Sequence, residues 1–104
     1  MIIEITEKKE FEDILANNDF VIVDFWATWC GPCRMMGTVL EDYSRDNLDT
    51  LIVKVNPDQA EELTAEHSIS SLPTIKIFRY GTEVASQVGF MNRSALNNFI
   101  DENK

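Results

Sequence analysis

Cys30 and Cys33 are the only two cysteines among 104 residues, and they stand three positions apart. Two thiols at that spacing can close a small disulfide ring or share a metal ion. A metal held by Cys and His alone needs four ligands, and the only histidine is His67, so a zinc site of that kind within one chain is excluded. A structural disulfide is a poor reading too, because so short a spacer closes a loop that restricts the unfolded chain little. What remains is a dithiol that passes between reduced and oxidised forms, set against two inert buried thiols.

The surrounding residues favour the redox reading. Pro32 suits the first position of a helix, where its missing N–H costs nothing. Cys30 then lies just before the helix, facing free backbone N–H groups and the positive end of the dipole, both of which favour a thiolate. The thiolate is the nucleophile, so Cys30 is expected to attack, while Cys33, one turn into the helix, faces inward and resolves.

The elements that must hold this turn follow from hydrophobic periodicity. Phe20 to Trp26 is apolar on both alternating faces, which predicts a strand in the middle of a covered sheet. After the Cys pair, Met36, Leu40 and Tyr43 recur at helical spacing. Upstream, Ile2 to Ile5 reads as a strand, and Thr6 as the N-cap of a helix with Phe11, Ile14 and Leu15 on its buried face. Leu51 to Asn56 is a third strand, and Asp58 with Glu61 has capping-box spacing for a short helix ending near His67. Ser68 to Pro73 is a loop. Thr74 to Tyr80 and Glu83 to Gly89 form a hairpin turning at Gly81, and Asn92 caps a last helix with Leu96, Phe99 and Ile100 inside. The order β-α-β-α-β-α-β-β-α describes one α/β sandwich: parallel strands with crossover helices and an antiparallel pair at one edge.

Composition narrows the functions. Nine Lys and Arg against 18 Asp and Glu give a formal net charge of −9. A duplex binder needs clustered basic residues to neutralise phosphates, so no nucleic acid is expected as ligand. The start of the chain has no basic flank and apolar h-region, and no apolar run nears the ~20 residues of a membrane helix, so the expected setting is cytoplasmic, with no membrane.

Val23-Asp24-Phe25-Trp26-Ala27-Thr28-Trp29-Cys30-Gly31-Pro32-Cys33 resembles the active-site stretch of the thioredoxin family. Lys54-Val55-Asn56-Pro57-Asp58 resembles the family's third strand and Leu72-Pro73-Thr74 its cis-proline loop. Gly81 and Gly89 match glycines of its terminal hairpin, so the likeness covers nearly the whole chain. It implies a single thioredoxin domain over residues 1–104, with a central mixed five-stranded sheet flanked by four helices. It implies a monomeric disulfide reductase acting on disulfide-containing client proteins, re-reduced by a thioredoxin reductase and needing no bound cofactor. The Gly-Pro spacer resembles the reducing members, with family potentials of roughly −270 mV, rather than oxidising relatives near −120 mV.

The same resemblance implies roles for individual residues. Asp24, an expensive carboxylate within an apolar strand, becomes the base that deprotonates Cys33, through water, and Lys54 tunes it by opposite charge. Pro73 is cis and packs against the disulfide, and the backbone at Leu72 pairs with an extended substrate segment. Trp29, with Gly31 and Pro32, forms an apolar docking rim backed by Trp26, and Gly89 admits the partner's backbone. His67 reads as surface or helix-end decoration, and Met35 and Met36 as packing.

The chain departs from the family pattern at Thr38, where a helix-kinking proline is common, and at Ser70-Ser71. It departs again at Phe90 and Met91, which replace smaller residues and enlarge the apolar surface. These changes bear on partner choice. An oxidase or isomerase of the same fold is the alternative activity, and a non-catalytic binding subunit of a larger complex is the alternative class.

Overall fold

β2 (Phe20–Phe25) organises the chain, because both of its faces are apolar and both must be covered. It is the middle strand of a five-stranded sheet of order β1-β3-β2-β4-β5. Here β1 is Ile2–Ile5, β3 Leu51–Val55, β4 Thr74–Arg79 and β5 Thr82–Val88. β1, β3 and β2 run parallel, whereas β4 is antiparallel to β2 and β5 to β4. The helices are α1 (Lys8–Asn17), α2 (Gly31–Asp46), α3 (Glu61–Glu66) and α4 (Arg93–Asp101), so the element order is the one the sequence predicts. The computed structural model describes residues 1–104.

Alternation along β2 divides the core in two. Val21, Val23 and Phe25 pack with Phe11, Val53, Val55 and Leu63 beneath α1 and α3. Ile22 points the other way, joining Met36, Leu40, Ile75 and Leu96 beneath α2 and α4. Each such side chain contributes roughly 1.5–3 kcal/mol by leaving water. These two layers, more than any cap or ion pair, hold the helices on the sheet.

Register decides where the site can be. Phe25, the last residue of β2, lies opposite Thr74, the first of β4, and Thr74 lies opposite Val88, the last of β5. The end of β2, the loop before β4 and the end of β5 therefore meet at one pole of the sheet. Asp24 pairs with Lys54 on one side and Ile75 on the other.

Local chemistry departs from the sequence reading at several points. β1 has the predicted bounds, whereas the other four predicted strands run one residue too far at their C-terminal ends, at Trp26, Asn56, Tyr80 and Gly89. Thr6 does not cap α1. Glu7 holds that position without a side-chain hydrogen bond, and burial of Phe11 anchors the helix instead. The Asp58–Glu61 capping box does not form, since α3 starts after Ala60. Pro32 is the second helical residue, behind Gly31. Met35 is exposed and only Met36 packs in the core; Met91 is buried, so of the Phe90-Met91 pair only Phe90 adds to the apolar surface.

His67 stands at the end of α3, as expected, but it is half-buried and packs rather than decorates. Its ring sits among Phe11, Phe78 and Phe25, at centroid distances of 5.3, 5.7 and 6.1 Å. Other local readings hold. Asn92 Oδ1 accepts the Ala95 N–H at 2.8 Å and caps α4. Thr38 Oγ1 donates to the Arg34 carbonyl, and α2 continues unbroken to Asp46.

Candidate active site

The strand-to-helix turn after β2 fixes both sulfurs. Cys30 is the N-cap of α2, with extended backbone, and its Sγ accepts the Cys33 N–H at 3.2 Å. That N–H belongs to the first turn of the helix and has no intrahelical partner, so a sulfur at the cap takes the place of the usual capping oxygen. No acidic side chain stands in this first turn to oppose negative charge there. Cys30 and Cys33 are joined as a disulfide, their Cα atoms 5.2 Å apart. Cys33 is 1 % exposed and Cys30 7 %, and both pack with Ala27, Trp26 and Leu72.

Asp24 is completely buried on the α2 face of β2, and neither carboxylate oxygen has a hydrogen-bond partner in the protein. Burial pushes its pKa from 3.8 up to about 7, against the pull of the Lys54 ammonium. Lys54, the register neighbour of Asp24, makes no ion pair with it. Its Nζ lies 4.3 Å above the Trp26 ring, a cation–π arrangement that leaves the carboxylate only partly compensated.

The other predicted residues converge from three directions. The Leu72-Pro73 bond is cis, Pro73 is buried, and Leu72 packs against the disulfide cluster. The Pro73 carbonyl accepts the Gly89 N–H at 2.8 Å, tying the loop before β4 to the end of β5. Gly89 has φ 96°, and a Cβ there would meet nothing within 4 Å. Its glycine is thus required by backbone conformation, and it leaves the outer side of the backbone open. Trp29 is 70 % exposed, next to a groove of about 430 Å³ shared with Ser70, Ser71 and Leu72. Pro32 is exposed and Gly31 half-buried beside it.

One residue at the site escaped the sequence reading. Asp58, expected to cap α3, instead accepts the Trp29 indole N–H at 3.3 Å. Asn56 Oδ1 accepts the Asp58 backbone N–H at 3.0 Å and fixes that turn. An Asn two residues before an Asp is a turn signal, and it could have argued against the cap.

A helix-capping dithiol at the end of a central strand that carries a buried carboxylate, on a mixed sheet with one antiparallel hairpin, defines a dithiol–disulfide oxidoreductase. The comparisons with known proteins agree. The thioredoxin family model matches residues 2–102. A thioredoxin of Mycoplasmoides gallisepticum is 38% identical over 96 residues, covering 92% of this chain and 96% of the relative. A bifunctional thioredoxin reductase/thioredoxin of Mycobacterium leprae is 41% identical over 95 residues, covering 90% of this chain and 21% of that protein. A structure of Plasmodium falciparum thioredoxin superposes with a TM-score of 0.89 at 36% identity, covering 97% of this chain and 98% of the other. The chain belongs to the thioredoxin family and is a protein disulfide reductase.

Proposed function

We propose that Cys30 attacks client disulfides, Cys33 resolves the mixed disulfide, and Asp24 handles the proton of Cys33. The observation that carries this order is the Cys33 N–H hydrogen bond to Cys30 Sγ at the tip of α2. When the pair is reduced, the same donor and the helix dipole favour negative charge on Cys30. The thiolate attacks one client sulfur, forming an S–S bond as the client's own S–S bond breaks and its second sulfur leaves with the electron pair. Cys33 then yields its proton toward Asp24, by way of water, and attacks Cys30 Sγ. The client's first sulfur leaves, and the chain is left oxidised.

Asp24 suits its part because a pKa of about 7 lets it take up and return a proton near neutrality. Lys54 keeps that value from rising further. Trp29, Gly31 and Pro32 form the rim against which the client docks. The Leu72 backbone beside Pro73 pairs with the client's extended segment, and Gly89 leaves room for it. We read residues 1–104 as one domain working as a monomer. Its electron donor is a thioredoxin reductase, a partnership supported by the relative that joins both activities in one protein. Such a cycle needs a reducing compartment, so the expected location is the cytoplasm; no helix is long and apolar enough to cross a membrane.

Trapping tests the order of attack. With a disulfide client, Cys33→Ser should accumulate a covalent mixed disulfide through Cys30, while Cys30→Ser should accumulate none. Trapping through Cys33 instead would reverse the assignment. Equilibration against glutathione tests direction, and a potential near the roughly −120 mV of oxidising relatives would turn the reductase into an oxidase.

A further inference from the structure

Gly37 is buried inside α2, where its helical backbone is one that any residue adopts. Glycine within a helix is unfavourable relative to alanine, so its presence here has another cause. That cause lies across the contact with β3. Outside the helix's own backbone, a Cβ at Gly37 would meet one atom within 4 Å, the Lys54 Nζ, at 3.6 Å. The missing side chain therefore borders the charged end of a single residue.

Lys54 is half-buried, and the Trp26 ring covers one side of its ammonium at 4.3 Å from the ring centroid. The bare backbone of Gly37 leaves a second side uncovered. An ammonium is strongly hydrated and rides on a flexible stem, so it stays where water still reaches it. In the sheet, Lys54 is the register partner of Asp24 on β2 and of Glu4 on β1. Glu4 is exposed, as are Arg34 and Glu41 about one turn either side of Gly37, so water screens those three charges. Ile75, the neighbour of Asp24 on β4, has no charge. Asp24 is completely buried and feels the ammonium with the least screening.

We infer that Gly37 is a positioning residue for the proton step: its bare backbone gives the Lys54 ammonium a hydrated seat between α2 and the Trp26 ring, from which the charge acts on Asp24. The inference rests on the reading of Asp24 as the acceptor of the Cys33 proton and adds a residue of α2 that governs it.

The test follows the Asp24 carboxyl by NMR titration of the oxidised protein, in which the bonded cysteines do not titrate. Wild type is compared with Gly37→Ala, Lys54→Met and the double variant. Alanine strengthens the helix, so Gly37→Ala keeps its fold. Its methyl takes the water from one side of the ammonium, which swings outward, and the Asp24 midpoint should rise by about half a pH unit. Lys54→Met should raise the midpoint as well, and adding Gly37→Ala to it should change nothing further. A purely structural glycine would shift both backgrounds alike. No rise in Gly37→Ala, or an equal rise in the Lys54→Met background, overturns the seat. Client release in single turnover separately tests the reading beneath it: its pH midpoint should move with that of Asp24. Release that ignores the carboxyl removes the proton step, whereas the titrations alone decide the seat.

Discussion

Asp24 has a pKa of about 7 because burial takes its carboxylate out of water, and Lys54 offsets only part of that effect. In the unfolded chain the group ionises near 3.8, so between 3.8 and 7 the folded state holds the extra proton. Stability therefore falls as pH rises through that window, by roughly 4 kcal/mol as an upper figure, and the loss is complete above about 7. Asp24→Asn should consequently gain stability relative to wild type between pH 4 and pH 8, measured by urea unfolding; an unchanging difference would deny the shift. In single-turnover kinetics the same variant should leave the first attack intact and slow release of the client at least tenfold. Equal release rates would take Asp24 out of the mechanism. The dithiol and this carboxylate were legible in the sequence because residue type alone is anomalous there. Lys76 was not: its Nζ pairs with Glu83 at 2.9 Å while its side chain is only 9 % exposed, a burial that depends on how β5 folds over it.

Elements were legible where one local bond or one periodic face decides them. Asn92 caps α4 as its residue type suggests, and Asn92→Ala should cost about 1 kcal/mol in thermal or urea unfolding. The β4–β5 hairpin turns on Tyr80 and Gly81, with φ 51° and 80°. A two-residue turn of this kind suits Asn-Gly, so Tyr80→Asn should stabilise by roughly 0.5–1 kcal/mol, read as a higher Tm. Thr6 and Asp58 misled because capping residues also occur in turns, and only tertiary packing decides which use wins. His67 shows the same limit at the end of α3. Its aromatic surroundings hold its pKa below 6.5, chiefly by burial. The unfolded chain takes up the proton first as pH falls, so this contribution is present above 6.5 and lost in more acid solution. His67→Phe should therefore gain more stability, relative to wild type, at pH 5 than at pH 8.

At the scale of the molecule, a formal charge of −9 sets the background against which every local bond acts. Self-repulsion of that size weakens the compact state and is screened by salt, so Tm should rise by a few degrees between roughly 0.02 M and 0.2 M salt. No change would mean that the ion pairs, such as Arg93 with Asp42 and Asp46, already balance it locally. The overall architecture was legible because apolar strands alternating with helical segments, followed by a hairpin turning at Gly81, allow few topologies. The meeting of Cys30, Pro73 and Gly89 was legible only through the family resemblance and not from periodicity or spacing, since it comes from the antiparallel turn of β4 against β2. That same reversal sends the Tyr80-Gly81 bend to the far end of the sheet, where the Tyr80 N–H meets the Asp19 carbonyl. A fluorescent reporter or an affinity handle spliced between those two residues would ride on the side of the molecule facing away from any captured client, leaving the sulfurs free to work.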